Sequence, residues 1–106
     1  MSDALVECID FAPTFVEVAG GKVPGHILEG HSVLPTLRGE ATDSPRDYVI
    51  CEYDYSASGI AKKLNVNVRD GVTFMIADKE WKLVHCEGGF PPILFDPVND
   101  PQELVD

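Results

Sequence analysis

Basic residues are scarce in this chain of 106 residues, in which 8 Lys and Arg stand against 18 Asp and Glu and give a net charge of −10. Such a surface repels nucleic acids and anionic lipids. No apolar run approaches the ~20 residues of a membrane helix, and the opening MSDALVECID is too acidic for a signal peptide. We therefore expect a cytoplasmic protein that binds neither nucleic acid nor membrane.

Cysteine is also sparse, and Cys8, Cys51 and Cys86 are too widely spaced for a Cys-x-x-Cys pair. Their odd number leaves at least one thiol unpaired, which fits a reducing compartment. The strand-like settings of Cys51 and Cys86 favour small buried side chains. The alternative, a thiol nucleophile with a histidine base, is weaker because His85 and Cys86 are strand neighbours that point to opposite faces.

No cluster with the spacing of a metal site is present. The histidines, which lack a second ligand at chelating spacing, are His26, His31 and His85. The carboxylates that might bind a cation are Glu52, Asp54, Asp96 and Asp100, but the run from Asp96 to Asp100 lacks the calcium-loop pattern. We interpret these carboxylates as caps and turns, and we predict no catalytic, cofactor-binding or metal-binding residue.

The first 40 residues predict two short helices. The first has Asp10 as its N-cap, an apolar face of Phe11, Phe15 and Val18, and a stop at Gly20-Gly21. The second, in GHSVLPTLRGE, has Ser32 as cap, Leu34 and Leu37 facing inward, and Gly39 at its end.

Residues 47–96 predict a sheet. The runs DYVICEYDY, VTFMIA, WKLVHC and ILF have the composition of strands, and Asp78-Lys79-Glu80 provides hairpin spacing. Residues 56–70 form a long excursion with one helical turn near Ile60 to Leu64. Without βαβ alternation, the fold class is α+β: a small antiparallel sheet of about four strands with short flanking helices, in a single domain.

The last residues, NDPQELVD, favour a helix that begins at Asp100 and occupies residues 100–106. Asp100 suits the cap, Pro101 the first helical position, and Glu103 the third position of a capping box. A simple turn at Asn99-Asp100-Pro101 is the alternative that this stretch leaves open.

Two segments together resemble the sulfatase and phosphonate monoester hydrolase group of the alkaline phosphatase superfamily. IDFAPTFVEVAG with LEGHSVLPTLRGE is similar to that family's Asp-x-x-Pro-Thr helix and Gly-x-Ser-x-x-Pro-x-Leu-x-Gly segment. EYDY and MIADKEWKLVHCEGGFPPILFDPVNDPQEL are similar to its Trp-Lys or Tyr-Lys strand and its closing Leu-Tyr/Phe-Asp-x-x-x-Asp-Pro-x-Glu run. His31 departs from the basic residue that is common at its position.

The resemblance implies the C-terminal segment of a larger hydrolase whose parent family uses a divalent metal and a formylglycine nucleophile. The family's Cys/Ser-x-Pro-x-Arg motif is missing, since Ser44-Pro45-Arg46 is one residue too short. We therefore carry over no catalytic or metal-binding residue, and we expect the chain to be inactive alone.

Three functional hypotheses follow. In the first, the chain is a non-catalytic C-terminal subdomain whose partner is a catalytic domain or a second copy of itself. In the second, it is a stand-alone binding or oligomerisation module that uses residues 56–70 as its contact surface. In the third, it is a small cysteine enzyme. An exposed apolar surface favours the first hypothesis over the second.

Overall fold

The computed structural model describes residues 2–41 and 45–106, which form two compact units, Met1–Val49 and Ile50–Asp106. The boundary between the two units falls after Val49, the first residue of the first strand. Ser44, which begins the short Ser-Pro-Arg run considered above, lies outside the described residues.

The first unit begins with a 3-10 turn, Cys8–Asp10, which leads into helix α1, Phe11–Val18. Asp10 occupies the predicted N-cap position of α1, but its side chain makes no capping hydrogen bond in that helix. The Asp10 Oδ2 instead accepts at 2.8 Å from the backbone N–H of Glu7, which is the cap of the 3-10 turn. Helix α1 is followed by Gly20 at φ 75°, a left-handed conformation that glycine adopts without strain, as the predicted stop requires.

Helix α2, Leu34–Leu37, is a single turn in the predicted place. Its N-cap is Val33 rather than the predicted Ser32. Ser32 Oγ accepts from the Leu34 N–H at 3.3 Å from one position further out. Leu34 is buried, but Leu37 is 72% exposed and does not face inward as predicted. Leu34 and Leu37 are three residues apart and share a face, but only Leu34 is covered within the unit.

The apolar stripe of α1 is also exposed rather than buried. Phe15 is 69% exposed and stacks on Phe11 with ring centroids 6.4 Å apart, while the buried residues of the helix are Pro13 and Thr14. The helical period correctly places Phe11, Phe15 and Val18 on one face. That face is simply not covered within the unit.

Gly30 makes the closest backbone approach in the first unit. A Cβ built on Gly30 would lie 2.1 Å from the carbonyl oxygen of Ile9. The chain that follows the glycine can therefore run directly beside the start of α1.

The second unit contains an antiparallel sheet in the order β1-β2-β3-β4. Its strands are β1, Val49–Asp54; β2, Val72–Ala77; β3, Lys82–Cys86; and β4, Ile93–Phe95. In the β2–β3 hairpin the Asp78 side chain accepts from the N–H groups of Glu80 and Trp81, each at 2.7 Å. The structure confirms the predicted α+β class and its sheet.

The excursion between β1 and β2 contains helix α3, Ile60–Leu64, flanked by 3-10 turns at Ser56–Ser58 and Val68–Asp70. The helix lies where the sequence predicts it, between Gly59 at φ 72° and Asn65 at φ 56°. Ala61 is only 1% exposed and is the most buried apolar side chain of this unit.

The expected helix at 100–106 is a turn in the structure. Glu103 has a left-handed φ of 52°, and its carboxylate pairs with Lys82 Nζ instead of reaching back to Asp100. Asp100 Oδ2 accepts from the N–H of Val105 at 2.8 Å. A residue with the left-handed φ of Glu103 does not continue a helix from Asp100.

We expect Gly30→Ala to destabilise the chain by about 3 kcal/mol, because the added methyl group would collide with backbone that cannot turn aside. Gly25→Ala is the matched control, since a Cβ at Gly25 meets nothing within 4 Å. Urea unfolding followed by circular dichroism measures both, and equal stability of the two variants would contradict the close approach.

Candidate functional site

The structure separates the residues considered for chemistry. His26, His31 and His85 are all exposed. Within residues 2–41 and 45–106, no group of three or more His, Cys, Asp or Glu side chains is placed to hold a metal ion. The described residues therefore do not fit the divalent metal of the parent family.

The three cysteines are free. Cys51 is exposed, contrary to the expected burial, because β1 has one partner strand and little cover. Cys86 is half-buried, and its Sγ accepts a hydrogen bond from Thr73 Oγ1 at 3.6 Å. A hydroxyl donor is not a base, so this contact does not activate the thiol.

Three of the acidic residues considered as cation ligands accept hydrogen bonds in turns instead. The pKa of Asp54 is lowered by hydrogen bonds with the side chain and backbone of Ser56. The pKa of Asp96 is lowered in the same way by the side chain and backbone of Asn99. With Asp100 bound to Val105, the interpretation as caps and turns holds for these three carboxylates.

A buried carboxylate organises the first unit instead. Asp10 has no exposed surface, and its Oδ1 accepts from the N–H of His31 at 2.8 Å and from the guanidinium of Arg46. Arg46 also pairs with Glu7. We call these four residues the Asp10 cluster.

Helix α1 makes a second hydrogen-bonded contact, through Thr14, with the segment that follows Gly30. The Thr14 hydroxyl donates to the Asp10 carbonyl at 2.6 Å and accepts from the N–H of Val33 at 3.0 Å. Asp10, Pro13, Thr14 and Gly30 are positions on which the family resemblance rests. In the structure these residues lie together, and the polar side chains among them bond to backbone groups of the first unit. Their role is structural, and none of them presents a free reactive group.

The electrostatics of Asp10 reflect this setting. Burial raises the pKa of the carboxyl, but the N–H groups of Glu7 and His31 and the guanidinium of Arg46 together outweigh burial and lower it. Sequence reasoning missed Arg46 as the partner, because the two residues are 36 positions apart and no local pattern links them.

The sheet of the second unit presents two different faces. Strand alternation and register place Phe74, Ile76, Leu83, His85 and Leu94 on one of them, which we call the outer face. Its four apolar side chains are each between 37% and 50% exposed. Ile76, Leu83 and Leu94 stand directly opposite one another across three strands.

The inner face carries Thr73, Val84 and Cys86 and lies beneath the excursion. There it forms a cavity of about 480 Å³ whose walls also include Ala61 and Leu64 of α3.

Comparison with known proteins agrees with this fold. Residues 1–106 match the family described as N-sulphoglucosamine sulphohydrolase, C-terminal, and the chain belongs to that family. It is 28% identical to Arylsulfatase K of Xenopus laevis over 95% of its own length and 18% of the relative's. It is 34% identical to an ulvan-active sulfatase of Formosa agariphila over 78% of its own length and 15% of the relative's.

Among solved structures, a phosphonate monoester hydrolase from Silicibacter pomeroyi superposes with a TM-score of 0.71 at 30% identity, covering 88% of this chain and 19% of that one. The chain therefore spans less than one fifth of the length of each of these three proteins. The expected resemblance to the C-terminal segment of sulfatases and phosphonate monoester hydrolases is confirmed. No helix among the described residues is long and apolar enough to cross a membrane.

We expect Asp10→Asn to lower the free energy of unfolding at pH 7 by about 3 kcal/mol, because the partly buried guanidinium of Arg46 loses a charged partner. The pKa of Asp10 is lower folded than its ordinary value of 3.8, so its contribution is complete above that pH. The contribution is lost as the pH falls through the folded pKa.

Urea unfolding between pH 7 and pH 3 measures this effect. The variant should lose less stability on acidification than the original chain. The control is Asp96→Asn, which removes an exposed turn carboxylate whose pKa is also lowered. An acid dependence unchanged by Asp10→Asn but removed by Asp96→Asn would contradict the role of the cluster.

Proposed function

We propose that this chain acts as the non-catalytic C-terminal subdomain of a hydrolase that cleaves sulfate or phosphonate esters with a divalent metal. The relatives named above are hydrolases of these two kinds, and their esters share a tetrahedral anionic centre. The nucleophile and metal would then come from another part of the hydrolase, because the described residues supply neither.

The observation that carries this proposal is the exposed outer face. A row of aliphatic side chains crosses three strands without cover. Monomeric proteins seldom expose contiguous apolar patches of more than a few hundred Å². Fully burying one Leu, Ile or Phe side chain is worth about 1.5–3 kcal/mol, so covering this face would contribute substantially to assembly.

A second observation supports the same role. In the first unit, Phe11 and Phe15 form an exposed aromatic pair on α1, with Val18 on the same helical face. Both units thus leave apolar surface for a partner, and we propose a catalytic domain as that partner. This chain would then form one wall of the active-site cleft of the catalytic domain, and it would contribute no reactive group to that cleft.

The test is a chimera in which residues 1–106 replace the matching segment of the Silicibacter phosphonate monoester hydrolase. We expect the chimera to fold and to hydrolyse a phosphonate monoester, because the segment contributes no catalytic group. A chimera that folds with its thermal midpoint intact but has no activity would contradict the non-catalytic role.

We expect Leu83→Glu in this chimera to lower the free energy of unfolding by about 3 kcal/mol, because the interface would bury a charge without a partner. The control is Ala57→Glu, which adds the same charge at an exposed site in the excursion. Thermal unfolding of the two chimeras measures the difference. Equal midpoints would show that the outer face is not covered by the catalytic domain.

A second candidate is a stand-alone oligomerisation module, favoured by the edge strands β1 and β4, which can pair with a second copy. In that case the chain alone should form a stable dimer by light scattering, and Leu83→Glu on the central strand β3 should leave that dimer intact. Hydrolysis of an aryl sulfate by the chain with an added divalent metal would overturn both candidates.

A further inference from the structure

The cavity beneath the excursion is a feature that the proposed structural role does not use. It is concave, and its volume of about 480 Å³ falls within the range of small-molecule sites. Its walls come from two sources: α3 supplies Ala61 and Leu64, and the inner face of the sheet supplies Val84 and Cys86. A small molecule entering it would contact aliphatic carbon and sulfur on two sides.

The backbone around the cavity is firmly placed. The N–H of Tyr55 donates to the Gly71 carbonyl at 2.7 Å, and the N–H of Glu87 donates to the Val72 carbonyl at 3.0 Å. Gly88, at φ 85°, lies so close to Asp70 that a Cβ there would be 3.3 Å from the Asp70 Cβ. The first contact joins the two ends of the excursion, and the second extends the pairing of β2 with β3. The approach of Gly88 to Asp70 places the end of the excursion beside the end of β3.

The charged side chains of the lining are both acidic. They are Asp70 and Glu87, whereas no Lys, Arg or His of the described chain belongs to the lining. Glu87 lies 3.7 Å from His85 Nε2, so Asp70 is the carboxylate that remains for a cationic ligand. The net charge of −10 adds a negative field around the opening.

We propose that this cavity binds a small amphipathic cation, with a flat or short aliphatic body between α3 and Val84 and a protonated amine beside Asp70. The apolar walls supply most of the affinity, because burial of hydrocarbon is favourable and non-directional. The carboxylate sets the sign of the ligand's charge. An anionic ligand with the same body is disfavoured by Asp70 and by the net charge of −10.

This proposal is independent of the hydrolase role, and it is tested on the chain alone. The probes are 2-phenylethylamine, 2-phenylethanol and 3-phenylpropanoate, which share a phenyl ring and differ in charge. We expect the amine to shift the amide resonances of Ala61, Val84 and Cys86 in a nitrogen–proton correlation spectrum. The amine should bind about five-fold more tightly than the alcohol, as a partly exposed ion pair allows.

Two variants separate charge from shape. Asp70→Asn should remove the preference for the amine over the alcohol while binding of the alcohol persists. Val84→Phe should fill the cavity and abolish binding of both compounds. Its matched control is Leu83→Phe, which adds a similar volume on the outer face of the same strand.

The comparison of the three probes on the original chain decides the proposal without any variant. Equal affinity for amine, alcohol and carboxylate would overturn it, as would shifts confined to residues outside the lining. Retained binding in a well-dispersed Val84→Phe spectrum would also overturn it, because the ligand would then lie elsewhere. The expected order, amine above alcohol above carboxylate, supports it.

Discussion

The buried carboxylate of Asp10 is the interaction on which the first unit depends. It joins the 3-10 turn, the segment after Gly30 and the guanidinium of Arg46 at one point. A buried charge without partners costs several kcal/mol, so the carboxylate is tolerated only when these donors are assembled around it. The hydrogen bonds and the ion pair of Asp10 therefore depend on one another. Polar contacts, more than apolar packing, determine the backbone conformation between Glu7 and Val33.

This polar organisation matters because so little apolar surface is buried. Among the described residues, the buried aliphatic side chains are Val33, Leu34 and Ala61. A small chain has a high ratio of surface to volume, and here the large side chains that would form a core lie on open faces of α1 and the sheet. The same property that limits the internal stability of each unit makes both faces suitable for a partner.

The strands, the hairpin and α3 could be predicted because their signals are local. The alternation in VTFMIA and WKLVHC, the turn at Asp78 and the residues around α3 act over a few positions. The exposure of Phe15 and Leu37 could not be predicted, since helical spacing shows which residues share a face but not whether that face is covered. The end of the chain was ambiguous because Asp100 and Pro101 suit a turn as well as a helix start. The pairing of Glu103 with Lys82 joins residues 21 positions apart, so no local pattern indicates it.

The candidate site also combines features that local sequence predicts with features that depend on contacts between distant residues. The sequence motif that resembles the sulfatase family consists of residues that hold backbone, such as Thr14 and Gly30, and its link to Arg46 is visible only in three dimensions. An arylsulfatase and a phosphonate monoester hydrolase match 95% and 88% of this chain, respectively. Both matches extend over most of a chain whose Asp10 cluster is committed to backbone N–H groups and to its own members. The motif residues described here therefore serve the fold of the first unit, because their polar atoms are used in contacts within it.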